Sequence, residues 1–92
     1  MLKIKYEKKF KKDYKKIIKR GYKSSDFIKV LSYLVNNEKL PSIYKDHELK
    51  GKYLGFRECH IKSDWLLIYY IDDDELILYL TRTGTHSDLL RK

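Results

Sequence analysis

Residues 56–81, FRECHIKSDWLLIYYIDDDELILYLT, decide the fold. Phe56 to Ile61 reads as a strand, and Lys62-Ser63-Asp64 as a tight turn behind it. Trp65 to Ile71 is a nearly continuous apolar run, which suits a central strand buried on both faces. Asp72-Asp73-Asp74 supplies hairpin-turn residues, and Glu75 to Thr81 is the returning strand. Upstream, Leu2, Ile4 and Tyr6 alternate with Lys3, Lys5 and Glu7, the period of a half-buried strand. The period then changes. Phe10, Tyr14, Ile17 and Ile18 recur at helical spacing with lysines on the other face, which predicts an amphipathic helix over 8–19. Gly21 ends it, Ser24 or Ser25 can N-cap a second helix, and Phe27, Val30, Leu31 and Leu34 give that helix its buried stripe before Asn36-Asn37 and Pro41 close it. From Pro41 to Gly55 the chain reads as a long ordered loop, and 87–92 as a short helical or irregular tail. The expected architecture is α+β in the order β-α-α-β-β-β: a two-helix hairpin packed on one face of a small, mainly antiparallel sheet, one domain over 1–92.

Composition bounds the function. Lys and Arg number 21 against 13 Asp and Glu, a formal net charge of +8 that attracts polyanions. A solvated lysine-rich surface is the plain alternative, but Lys8, Lys9, Lys11, Lys12, Lys15, Lys16 and Lys19 crowd one helix. Cys59 is the single cysteine, so no internal disulfide forms, which fits a reducing cytoplasm. No secretory h-region follows Met1, and no apolar stretch approaches the roughly 18 residues of a membrane span. No membrane partner is expected.

The candidates for chemistry are three histidines: His47 after Asp46, His60 in Arg57-Glu58-Cys59-His60, and His86 in Arg82-Thr83-Gly84-Thr85-His86. Histidine exchanges protons near neutrality. Three antiparallel strands can bring Arg57, His60, Asp64, Trp65, Arg82 and His86 together, since neighbouring strands lie about 4.8 Å apart. Metal-free RNA cleavage needs a base for the 2′-OH, an acid for the leaving 5′-oxygen, and a cation for the phosphorane, and these residue types supply all three. Each also has a plainer role. Asp64 can simply form the turn, Trp65 can be core, and Arg57 and Glu58 point to opposite faces. No HExxH or close-spaced ligand pair points to a metal, and no cofactor is implied. Spacing alone yields a basic α+β domain with a polar cluster, not a reaction.

Three segments carry a resemblance. Lys45-Asp46-His47-Glu48-Leu49-Lys50-Gly51, then residues 56–69, then Arg82-Thr83-Gly84-Thr85-His86-Ser87 are similar to the YafQ family, within the RelE superfamily of type II toxin–antitoxin toxins. The match spans the chain in length and element order and is sharpest from 45 to 87. It implies a RelE-like fold and a cytoplasmic, ribosome-dependent mRNA endoribonuclease. Such an enzyme cuts the A-site codon without metal, leaving a 2′,3′-cyclic phosphate and a 5′-hydroxyl. It also implies a cognate antitoxin, small, acidic, DinJ- or RelB-like and DNA-binding, with the toxin a monomer when free and part of a hetero-oligomer when bound. Carried over by motif, His47, His60, Asp64, Arg82 and His86 match the family's active-site positions, and Trp65 belongs to the same motif. Two positions depart from it: Ser63 stands where proline is common, and Leu90 stands near a frequent phenylalanine that would hold the substrate base.

The leading role assignment makes His86 the general acid and Asp64 or His60 the base. Arg82 would steady the phosphorane and His47 position the scissile phosphate. Trp65, Arg57 and Leu90 are candidate substrate contacts, and Lys11, Lys12, Lys15 and Lys16 a docking surface for ribosomal RNA. Two other functions fit the same residues. One is a non-catalytic RNA- or ribosome-binding module that blocks translation by occupancy, and the other a metal-dependent nuclease using the histidines as ligands.

Overall fold

In the computed structural model, which describes residues 1–90, the apolar run becomes β4 (Trp65–Asp72), the middle strand of a five-stranded sheet. Around it lie β1 (Lys3–Tyr6), β2 (His47–Glu48), β3 (Arg57–Lys62) and β5 (Ile77–Gly84), in the order β1-β5-β4-β3-β2. All neighbours are antiparallel except β1, which runs parallel to β5. The helices α1 (Lys8–Lys19) and α2 (Ser24–Val35) form the expected hairpin against one face, so the α+β reading holds.

Alternation along β4 explains why its apolar run is unbroken. Trp65, Leu67 and Tyr69 face the helices and join Phe10, Ile17, Phe27, Val30 and Leu34 in the main core. Leu66 and Ile68 face the other way, under Leu89 of a short helix, α3 (His86–Leu90), with Leu49, Tyr53 and Phe56 packed beside them. Trp65 is fully buried, and its indole N–H donates to Thr83 Oγ1 at 2.8 Å. That hydroxyl in turn donates to the Leu66 carbonyl at 2.6 Å. Cys59 is buried too, and burial pushes its thiol far above the usual range, which keeps it inert.

Several boundaries differ from the sequence reading, each for a local reason. Neither Ser24 nor Ser25 caps α2: Lys23 is the extended residue ahead of it, and Ser24 is already helical. The 41–55 loop contains β2 and two 3₁₀ turns, Ser42–Tyr44 and Gly51–Tyr53. Asp72 stays in β4, where its Oδ1 accepts the N–H groups of Asp74 and Glu75 and folds the hairpin turn back on the strand. The returning strand consequently starts at Ile77 and continues to Gly84, past the expected end at Thr81.

One irregularity matters for function. Ile68 pairs with Arg82 and Tyr69 with Leu80, so Thr81 is an extra residue, a β-bulge in β5. The bulge lies where β1 ends, at Tyr6 opposite Leu80, leaving the edge of β5 beyond it to α1.

Candidate active site

The face of the sheet away from the helix hairpin gathers the polar residues. Strand pairing sets His47, Glu58, Ile68 and Arg82 in one row across β2, β3, β4 and β5. The next row runs His60, Leu66, Gly84. Beyond Gly84 the chain turns into α3, and its first residue, His86, brings its ring to the His60 ring, centroids 5.9 Å apart and planes tilted by 66°.

Gly84 makes that turn possible. Its φ of +149° is a conformation side chains disfavour, and a Cβ there would lie 2.9 Å from Asp88 Oδ2. Asp88 ties α3 down: Arg20 donates to both its oxygens, at 2.8 and 3.1 Å, and the Thr85 N–H donates to Oδ2 at 2.9 Å. The Arg20 guanidinium, acting against partial burial and helped by Thr85, holds the Asp88 carboxyl well below the usual carboxylate range.

Arg82 is aimed by the bulge and fixed from α1. Its Nε donates to Asp13 Oδ2 at 2.6 Å and its Nη2 to Oδ1 at 3.2 Å, while the Thr83 N–H also donates to Oδ2, at 3.2 Å. Asp13 thus occupies one side of the guanidinium and leaves Nη1 outside the pair. The carboxylate of Asp13, with a smaller contribution from the Tyr53 hydroxyl, raises the Arg82 pKa despite desolvation, so it stays a cation at any working pH.

His47 stands at the edge of this face. Its Nδ1 lies 2.7 Å from the Lys45 carbonyl, which can only accept, so Nδ1 carries a proton; its Nε2 lies 3.3 Å from Glu58 Oε1. The preceding residue holds the loop. Asp46 accepts from Arg57 Nε and Nη2, at 3.1 and 2.9 Å, and from the buried Tyr69 hydroxyl. Asp64 sits in the turn between β3 and β4, and its Oδ2 accepts the Tyr22 hydroxyl at 2.6 Å. That hydrogen bond is the first cause of a raised Tyr22 pKa, so Tyr22 remains a donor.

The sequence-predicted set therefore divides. His47, His60, Arg82 and His86 share one face, whereas Asp64 lies in the turn between β3 and β4, bonded to Tyr22 of the loop between the two helices. Trp65 and Arg57 do not join them as substrate contacts. Trp65 is buried in the core on the opposite face, and Arg57 lies opposite Tyr69 on the helix side with its guanidinium committed to Asp46. The Leu90 side chain lies outside the described residues. Lys11, Lys12, Lys15 and Lys16 are exposed on α1. Helical spacing sets Lys16 one turn from Asp13, beside the site, and turns Lys11 and Lys15 away from it. Sequence reasoning missed Glu58, Asp13 and Tyr53. Glu58 stands two residues before His60, the spacing of one strand face, and Asp13 is the single acid among the lysines of 8–19, so both carried a signal. Tyr53 carried none.

Two imidazoles in contact, one guanidinium in the adjoining row and a hydrogen-bonded carboxylate at the edge are suited to moving protons on either side of a phosphodiester. A family model described as the bacterial toxin of type II toxin–antitoxin system, YafQ, matches residues 2–91. The chain belongs to the YafQ toxin family. The mRNA interferase toxin YafQ of Escherichia coli K12 is 39% identical over 87 residues, covering 94% of this chain and 92% of its own. A metal-bound toxin from Helicobacter pylori superposes with a TM-score of 0.90 at 46% identity, covering 97% of this chain and 99% of its own. YafQ in the E. coli DinJ–YafQ complex gives a TM-score of 0.87 at 38% identity, covering 97% and 98%.

Proposed function

We propose that this member of the YafQ toxin family is a ribosome-dependent mRNA endoribonuclease of RelE type, acting in the cytoplasm and restrained by a cognate antitoxin. The observation that carries the reading is the His60–His86 ring pair on the same sheet face as Arg82. Two imidazoles this close can serve the two oxygens of one phosphorus, and an arginine in the next row can meet the charge that builds on it. Family membership adds the substrate: relatives are named mRNA interferases.

In the proposed reaction His60 removes the 2′-OH proton and the 2′-oxygen attacks phosphorus. His86 protonates the departing 5′-oxygen as the P–O5′ bond breaks, leaving a 2′,3′-cyclic phosphate. Arg82, held by Asp13, pairs with the non-bridging oxygens, most strongly as the phosphorane forms. His47, oriented by Lys45 and Glu58, positions the phosphate. Asp64, with one oxygen engaged by Tyr22, is the second candidate for the base. The basic surface of α1 serves docking on ribosomal RNA, and a small acidic antitoxin of DinJ type is the natural restraint on a chain of charge +8. Among the described residues no helix is long and apolar enough to cross a membrane.

Mapping transcript 5′ ends after induction tests the reading. Wild type should generate new ends inside translated frames, dependent on ribosomes, and His86→Ala should not. Growth arrest with intact transcripts would replace cleavage by occupancy.

A further inference from the structure

A cleft of about 470 Å³ adjoins His60 on the helix side of the β3 edge, between α2 and the 3₁₀ turn Ser42–Tyr44. Lys29, Lys45 and Lys62 wall it, with Ile43 and Tyr44 beside them and His60 as the shared boundary with the catalytic face. Asp26, the one acid in its lining, pairs with Lys62 at 3.6 Å. Among the described residues Lys29 and Lys45 make no ion pair.

The wall is held in a conformation that needs support. Lys45 has a φ of +51°, a left-handed conformation that lysine rarely adopts and that a structure keeps where something else fixes it. Here the next two residues do so. Asp46 is gripped by Arg57 and Tyr69, and His47 bonds back to the Lys45 carbonyl while facing Glu58. Consecutive residues thus serve the cleft, the support and the catalytic face. Ile43 is 76% exposed, and Tyr44 beside it packs against Tyr33 at 6.3 Å, which forms a small apolar step next to the free ammonium groups.

We propose that this cleft holds the messenger nucleotide next to the cleaved bond, its phosphate between Lys29 and Lys45 and its base against Ile43 and Tyr44. The proposal rests on the cleavage reading above and deepens it. A strand with its scissile phosphate between His60 and His86 that leaves over the β3 edge passes His60, and the basic cleft begins there. An acidic protein segment would also suit lysines, but it would have no reason to share His60 with the reacting phosphate.

The test uses the full chain on ribosomes carrying a defined mRNA, comparing wild type, a Lys29→Glu/Lys45→Glu variant and a Lys29→Arg/Lys45→Arg variant, each checked for an unchanged melting temperature. Charge reversal should raise KM for the ribosome–mRNA complex about tenfold and flatten its salt dependence by roughly 0.7 for each phosphate no longer neutralised, with kcat held within about threefold. The arginine variant should stay near wild type. An unchanged KM in a wild-type background that cuts overturns the subsite and leaves the cleavage reading standing. So does an equal loss of affinity for ribosomes without mRNA, which assigns the lysines to ribosomal RNA. Weakened antitoxin binding with normal KM assigns the cleft to an acidic peptide instead. A wild type that cuts nothing removes both the reading and the subsite.

Discussion

Asp46→Ala should be strongly destabilising although it lies outside the hydrophobic core. Its carboxylate accepts three hydrogen bonds, two from Arg57 and one from Tyr69. Tyr69 is 2% exposed, and burial, followed by Asp46 itself, drives its pKa far above the usual phenol range, so the hydroxyl is a permanent donor. Leaving that donor unpaired costs about 1–3 kcal/mol. The Arg57–Asp46 pair is more open, with side-chain exposures of 39% and 21%, and adds roughly 0.5–1 kcal/mol after solvent screening. A loss of about 1.5–4 kcal/mol follows, which for a domain of this size lowers Tm by roughly 6–30 °C. Urea melts of wild type, Asp46→Ala, Tyr69→Phe and the double variant measure it. In the Tyr69→Phe background Asp46→Ala should cost less by about 1–2 kcal/mol, since the same bond cannot be lost twice. Well below the melting temperature, Asp46→Ala should also slow mRNA cleavage, because His47 follows Asp46 on a loop no longer held. A melting shift under about 2 °C, or strict additivity, would refute the account of how this loop is fixed.

Three further outcomes are expected. Gly84→Ala introduces a Cβ 2.9 Å from Asp88 Oδ2 at a φ of +149°, so it should displace α3, destabilise by about 1–3 kcal/mol and abolish contacts between the His60 and His86 rings in NMR spectra. Asp88 has a lowered carboxyl pKa, so its contribution is complete above the unfolded value of about 3.9 and fades as pH falls from there toward the depressed folded value. Acid should therefore release α3, visible as faster amide exchange at Leu89, and Asp88→Asn should show that loss already at neutral pH. Charge reversal of Lys11, Lys12, Lys15 and Lys16 should weaken ribosome binding and lower its salt dependence while kcat changes little, measured across a salt series; binding that does not respond would remove α1 from the docking surface.

The strand-forming stretch was legible because its periods are simple. An eight-residue strand with seven consecutive apolar positions belongs at the centre of a sheet of this size, and alternation then assigns every neighbour's face. The helix hairpin followed from spacing and Gly21. Function was legible mainly through motif order, since His60 and His86 meet only because α3 folds back over Gly84, a close approach that no local pattern encodes. The same limit explains the two misplaced contacts. Trp65 and Arg57 are near Asp64 and His60 in sequence, yet the two-residue period of a strand sends them to the other face. The Thr81 bulge was equally invisible, and it decides where Arg82 points. Long-range partners such as Asp13 for Arg82 and Tyr22 for Asp64 depend on helix packing and are not written in any short motif.

Proton transfer at the His60–His86 face is the proposed means of RNA cleavage. The most direct measurement is a single-turnover assay on ribosomes programmed with end-labelled mRNA, comparing wild type with His86→Ala and identifying the chemical ends. Wild type should leave a 2′,3′-cyclic phosphate and a 5′-hydroxyl, and His86→Ala should be slower by about 10²–10⁴ while binding and folding normally. A His86→Ala variant that cuts at the wild-type rate, or wild-type products ending in a 3′-hydroxyl, would contradict it.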